Sequence, residues 1–333
     1  MDSHKQSADA GYKQQKVDRE QAKGGICIFM TYEMEKTLPL PKLSVSEAFY
    51  LRQVWLYNTG VHVINRKMEG AYFQIWTESE GRRGVNEVCS SLLTFFNVAN
   101  ISSAKLIVWS DSCAGQNKNF ATICFWQYML LSQRFEVIEH KFPEPGHTYL
   151  DSDRDFGKVE CAVKRKETIY SVDEYQTIMT SAFTKSKATV TCMGDKMVDI
   201  ANLVRSLGLK KQTTDTNGNK IELRDKVRWI RISEFGKYSF KHSFNEEEEW
   251  KDVVLSRSPA PHTLPELDLL PRNTVPIKPA KLRDIQKQLR FIPAIYQGLY
   301  IDLLASDRIS DEEQEDPVST SDINDAEVYE QMC

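Results

Sequence analysis

Lys105–Trp109 reads KLIVW, and residues 110–119 continue it as SDSCAGQNKN. A short apolar run of this kind suits a strand buried on both faces. The run ends abruptly in a polar turn that opens on Ser110 and Asp111. An acid at the carboxyl end of a buried strand sits on the sheet rim, where α/β proteins commonly build their sites. Asp111 is therefore the centre of the reading. By pattern alone two roles stay open: a cap for the following turn or helix, or a ligand.

Working outward, residues 120–131 are apolar on nearly every side and predict a buried helix. FEVIEHK (135–141) predicts the next strand, and PEPGH (143–147) a loop. A helix is expected from about Ser152. Upstream, ICIFMTY (26–32), RQVWLYNTGVHV (52–63) and AYFQIWT (71–77) read as three strands. The break at Met68-Glu69-Gly70 predicts an antiparallel turn. Prolines keep Leu38-Pro39-Leu40-Pro41 out of any central strand. Val85, Val88, Leu92, Leu93 and Phe96 recur at helical spacing. The order β-β-β-α-β-α-β-loop-α fits an RNase H-like α/β core with a mixed five-stranded sheet flanked by helices. Doubly wound nucleotide folds alternate strand and helix from the start and fit less well.

This gives an arm over 1–24, a core over 25–190 and a small α/β extension over 191–256. A proline-bearing linker with a helical pair broken at Pro293 follows over 257–305, then an acidic tail over 306–333 whose composition predicts disorder. The 1–24 arm reads as a short helix or a frayed end. Within the extension, KVRWIRI (226–232) and residues 237–242 predict short strands.

The chain of 333 residues carries a net charge of −4. The segment from Asp307 onward holds about −9 of it, so the remainder is mildly basic, at about +5. Such an excess permits nucleic-acid binding without demonstrating it. No apolar run is long enough to cross a bilayer, and the polar N-terminus lacks a signal-peptide core. The expectation is an intracellular protein, nuclear or cytoplasmic, with no membrane partner. Seven scattered cysteines without a C-x-x-C pair argue against a zinc ribbon and suit reduced thiols.

Metal-dependent phosphoryl transfer needs oxygen ligands that hold Mg²⁺ or Mn²⁺ with positions open for phosphate and water. Acids stand where an RNase H-like core would carry them. Glu33 follows the first strand, Asp111 ends the fourth, Asp153 opens the helix after the fifth, and Glu160 lies two turns on, on the same face. Each has a bland counterpart. Glu33 could be solvated, Asp153 could favour a helix start, and Glu160 could pair with Lys164. His147 suits a general base or an ordinary loop. Gln116, Asn117 and Lys118 are candidates to orient Asp111 or contact phosphate. Lys158, Lys164, Arg165 and Lys166 are candidates to track a nucleic-acid backbone, or form a solvated helix face. Cys113 raises a third idea, a cysteine-based hydrolase.

Four strings together add a resemblance: EKTLPLPKLSVSEAFYLRQVWLYN (35–58), FQIWTESEGRRGVNEV (73–88), VWSDSCAGQNKN (108–119) and HKFPEPGHTYLDSDRDFGKVE (140–160). They resemble a widespread uncharacterised eukaryotic domain family of transposon-associated proteins, with an RNase H-like (DDE/D transposase or integrase-like) core. The resemblance spans roughly residues 25–255. It implies a metal site at Glu33, Asp111 and Asp153, assisted by Glu160 or His147, that cuts or joins DNA phosphodiesters. DNA is implied before RNA, and a homo-oligomer stays open. The family commonly has Asp in an F-D-L string where this chain reads Tyr32-Glu33-Met34. The extra methylene shifts the carboxylate beyond what precise metal geometry tolerates. Family members also often carry an N-terminal cysteine-rich region that is missing here. The alternative implied is a truncated or domesticated, catalytically inert copy that binds nucleic acid or protein.

Overall fold

The computed structural model describes residues 2–146, 149–184, 186–271 and 275–305. Helix α1 (Asp2–Lys23) leads into strand β1 (Ile28–Met34) and the short β2 (Leu38–Leu40). Strands β3 (Val54–Ile64) and β4 (Glu69–Thr77) form a hairpin, followed by helix α2 (Val85–Ala99). Then come β5 (Ser103–Ser110), α3 (Phe120–Leu131), β6 (Phe135–Lys141), α4 (Asp151–Lys164) and α5 (Val172–Ser181). Strand β7 (Lys187–Cys192), helix α6 (Ile200–Leu207) and strands β8 (Trp229–Ile232), β9 (Lys237–Lys241) and β10 (Lys251–Val254) complete the sheet. Helices α7 (Pro279–Gln288) and α8 (Gly298–Ala305) end the described chain, with single 3-10 turns between them around Pro293.

All ten strands form one mixed sheet in the order β10-β9-β8-β6-β5-β1-β3-β4-β7, with β2 alongside β3. Strands β1, β5 and β6 run parallel, while β3 is antiparallel to both β1 and β4. The sheet thus has ten strands where five were expected. Strands β8 to β10 extend it antiparallel beyond β6, and β7 adds parallel to β4. Residues 229–254 therefore continue the same sheet. Their short runs look like an appendage because nothing local in them names β6 as partner.

The pleat sorts the core. Ile28, Met30 and Tyr32 of β1 join α2, α3 and α6 in the largest apolar cluster. Phe29, between them, faces the other side with Ile107, Trp109 and Leu150. Helices α4, α5, α7 and α8 pack their own cluster over β3 and β4 on Phe73, Ile75 and Phe156.

Of the two readings for the N-terminal segment the helix is the one found, and it is longer than expected. It is a helix of 22 residues that buries Ala8, Gln15, Asp18 and Ala22. Its sequence is too polar to show an apolar stripe. What docks it is ionic: both Asp18 oxygens accept from the Lys141 ammonium at 2.8 and 2.9 Å, and Oδ2 also accepts from Trp109 Nε1 at 2.9 Å.

Candidate functional site at the sheet rim

Tyr32 of β1 lies opposite Ser110 of β5 in the parallel register, so Glu33 and Asp111 are the next residues along two adjacent strands. Helix α4 starts over the same rim, where the Ser152 amide donates to Thr31 Oγ1 at 3.1 Å. Gly60 of β3 faces Glu33 and lets the helix lie close on the sheet. Three carboxylates foreseen in the sequence, Glu33, Asp111 and Asp153, therefore come to one end of the sheet.

Asp111 is held tightly. Its Oδ1 accepts from the Cys113 amide at 3.1 Å and from Asn117 Nδ2. Burial raises its pKa, with the charge of Asp153 adding to the rise, while the two hydrogen bonds and nearby Arg83 oppose it. The turn-capping role is thus realised, and the Asp153 carboxylate is close enough to be felt. Asp153 itself accepts from the Leu150 amide at 2.8 Å, fixing the start of α4.

Behind Asp111 runs a buried chain that the sequence did not signal. Trp126 Nε1 donates to His140 Nδ1 at 3.1 Å, and His140 Nε2 lies 2.8 Å from Ser110 Oγ. Indole is only a donor. His140 Nδ1 must accept, so its proton sits on Nε2 and points at Ser110. Ser110 Oγ then donates to the Asp111 carbonyl at 3.0 Å. Burial, aided by Lys118, pushes His140 down to about 3, so the ring is neutral at physiological pH. This pair is a strut for the Asp111 backbone and cannot serve as a Ser-His nucleophile. Cys113 is no better placed for that work, because burial and then Asp111 push its thiol up.

Several expected contacts turn inward. Lys118 is 1% exposed and gives its ammonium to the Arg224 carbonyl at 2.8 Å, leaving no surface for a phosphate. Asn117 is buried on Asp111, and Gln116 donates to the Arg83 carbonyl at 3.0 Å. Asn117 thus takes the orienting role open to it, while the phosphate-contact alternative rested on polar loop residues usually being exposed. Here the loop folds back on itself, with three successive amides, 116 to 118, donating to the Cys113 carbonyl. Glu160 sits further along α4, where its charge acts on Glu35. Lys158 pairs with Asp155 at 2.8 Å and lies over the Phe183 ring. Lys164, Arg165 and Lys166 are exposed at the C-terminal end of α4, where cations also complement the helix dipole. His147 lies outside the described residues.

Arg82 and Arg83 were missed as site residues. They lie between Gly81 and Gly84 just before α2, and Arg83 is near enough to Asp111 to lower its pKa. Two arginines flanked by glycines at a helix start were the available signal.

Among the described residues, no three His, Cys, Asp or Glu side chains stand together in a way that could hold a metal ion. One oxygen of Asp111 serves two donors, and one of Asp153 serves the α4 cap.

Fold and rim together define a mixed α/β protein with a ten-stranded sheet and an acidic site at the end of its central parallel strands. The chain belongs to the family described as Domain of unknown function (DUF7869), which matches residues 52–225, just over half its length. That span includes Asp111, Asp153 and Glu160 and begins after Glu33. Neither the curated proteins nor the solved structures give a match. Among the described residues no helix is long and apolar enough to cross a membrane.

Proposed function

We propose that this chain is an RNase H-like domain, descended from a metal-dependent DNA nuclease or strand transferase of a transposon, that now binds nucleic acid without cutting it. The strand order β4-β3-β1-β5-β6, with β3 antiparallel, supports the ancestry. In that order the first, fourth and helical acids of such a core fall on Glu33, Asp111 and Asp153. The observation that favours loss of catalysis is the engagement of Asp111 and Asp153 in capping bonds, with no three-group cluster around them among the described residues. Glu33 in place of the usual Asp points the same way.

Nucleic acid, DNA before RNA, remains the partner class because the chain outside its acidic tail is mildly basic. Arg82 and Arg83 border the rim, and Lys164, Arg165 and Lys166 are exposed. Such a module works inside the cell, in the nucleus or cytoplasm. The second reading, an active nuclease using Mg²⁺ or Mn²⁺, draws on the closeness of Asp111 and Asp153.

One experiment separates them. Supercoiled plasmid is incubated with Mn²⁺ and either the wild type or Asp111→Asn, and DNA binding is titrated in parallel at several salt concentrations. The expected result is no nicking by either protein, with binding that weakens as salt rises and weakens further in Arg82→Ala/Arg83→Ala. Nicking by the wild type and not by Asp111→Asn would establish the nuclease instead. Binding indifferent to salt would remove the phosphate-tracking role.

A further inference from the structure

At the β4–β7 edge of the sheet lies a cleft of about 1250 Å³, apart from the Asp111 loop. Its walls come from the end of β4, the turn after it, the start of α5 and the face of α8. The floor is apolar, with Ile75, Ile178 and Leu299, and Tyr296 forms part of the wall, stacked on Tyr170 at 5.5 Å and 18°. Ile295 lines it too and is 85% exposed, an unusual position for a large aliphatic side chain. Among the described residues, four acids line it, Glu80, Asp173, Glu174 and Asp302, against a single cation, Lys166.

Two of those acids are occupied locally. Glu174 accepts from the Tyr170 and Ser171 amides at the α5 cap, and Glu80 accepts from Thr77. Asp173 and Asp302 are exposed and carry charge toward whatever enters. An apolar floor beneath an acidic wall fits a segment that offers aliphatic side chains on one side and cations on the other.

We infer that this cleft is a docking site for a lysine- and arginine-rich peptide segment of a partner protein, with its aliphatic residues on Ile295 and Leu299 and its cations on Asp173 and Asp302. The chain's own C-terminal segment is the wrong occupant. It leaves directly from α8, yet carries ten acids and one base between Asp307 and Cys333. Its charge has the same sign as the cleft wall, so the two repel. The inference does not depend on the nucleic-acid reading: the two share only Lys166, which is not among the residues assigned to hold the peptide.

The test is fluorescence anisotropy on the full chain, with a short fluorescein-labelled peptide that alternates Lys-Arg pairs with Leu. A control peptide carries Glu at every basic position. Binding by the basic peptide alone is expected, with affinity falling as salt rises. Asp173→Lys/Asp302→Lys should weaken it by about tenfold or more, and the charge-neutral Ile295→Ser should weaken it as a separate check on the apolar contact. Unchanged thermal midpoints would show that the variants are folded. Equal affinity in all variants would show that the cleft does not hold the peptide, and would overturn the inference. So would equal binding of the Glu peptide.

Discussion

Glu35, two residues past the acid the sequence singled out, is 2% exposed. Its amide donates to the Asn58 carbonyl at 2.9 Å, and its Oε2 accepts from Asn58 Nδ2 at 2.7 Å. Burial pushes its pKa from 4.5 up to about 8, and Glu160 pushes the same way against the Asn58 hydrogen bond. Between those two values the folded protein holds a proton that the unfolded chain has released. Stability must therefore fall as pH rises through that window and level off above it. Glu35→Gln keeps an acceptor for Asn58 and removes the titration. It should raise stability above pH 8 by a few kcal/mol, at ~1.4 kcal/mol per pKa unit, and flatten the profile. Urea unfolding from pH 5 to 9 measures this, and parallel curves for the two proteins would contradict it. Nothing in the string YEMEK separates Glu33 from Glu35 as the buried acid, because burial here comes from strand β3 and helix α4.

Helix α4 is the element on which the rim depends. It lies close over Gly60, where an added Cβ would stand 2.4 Å from Phe156 Cε1. Gly60→Ala forces the helix away from β3 and should cost about 1–3 kcal/mol. It should also relieve the charge of Asp153 on Asp111 by moving the helix start. Thermal melts check the first effect, and NMR titration of the Asp111 carboxyl checks the second. An unchanged midpoint would show that the helix has room to spare. The β-rich run around Gly60 is legible in sequence, as is the helix near Ser152. Their meeting is not, because the clash partner lies almost a hundred residues downstream. The loop after β5 shows the same limit. Its polar composition announces a turn, while the inward course of Lys118 depends on the distant Arg224 carbonyl.

At the scale of the molecule, α1 is locked to the sheet by a buried ion pair. Asp18 and Lys141 are each 1% exposed, and the ammonium also lies 3.9 Å from the centre of the Trp229 ring. Burial lowers the Lys141 pKa, and Asp18 opposes that. Asp18→Ala leaves a buried cation with only Glu139 at 3.5 Å, and should cost about 3–5 kcal/mol. Urea midpoints would show the loss, with early proteolytic cleavage inside α1. Resistance equal to the wild type would make the helix an ornament of the fold. Lys141 also joins the two halves of the sheet, since it lies opposite Trp109 on β5 and Trp229 on β8.

From β1 to α4, local patterns in the sequence were enough for the kinds of the main elements and their order, whereas β7, α6 and β10 were not legible. The apolar run before Asp111, the alternating strands and the helical spacing of 85–96 are written in neighbouring residues, where each period is set by backbone geometry. They also sufficed to bring Asp111 and Asp153 forward as site acids. Tertiary structure alone decided the rest: ten strands in one sheet, a docked N-terminal helix, a buried Lys118, and acids engaged in capping. Each of these rests on partners far apart in the chain. Burial and protonation are properties of the assembled surroundings, so Asp111 could be named from its strand, but its state only from what packs around it.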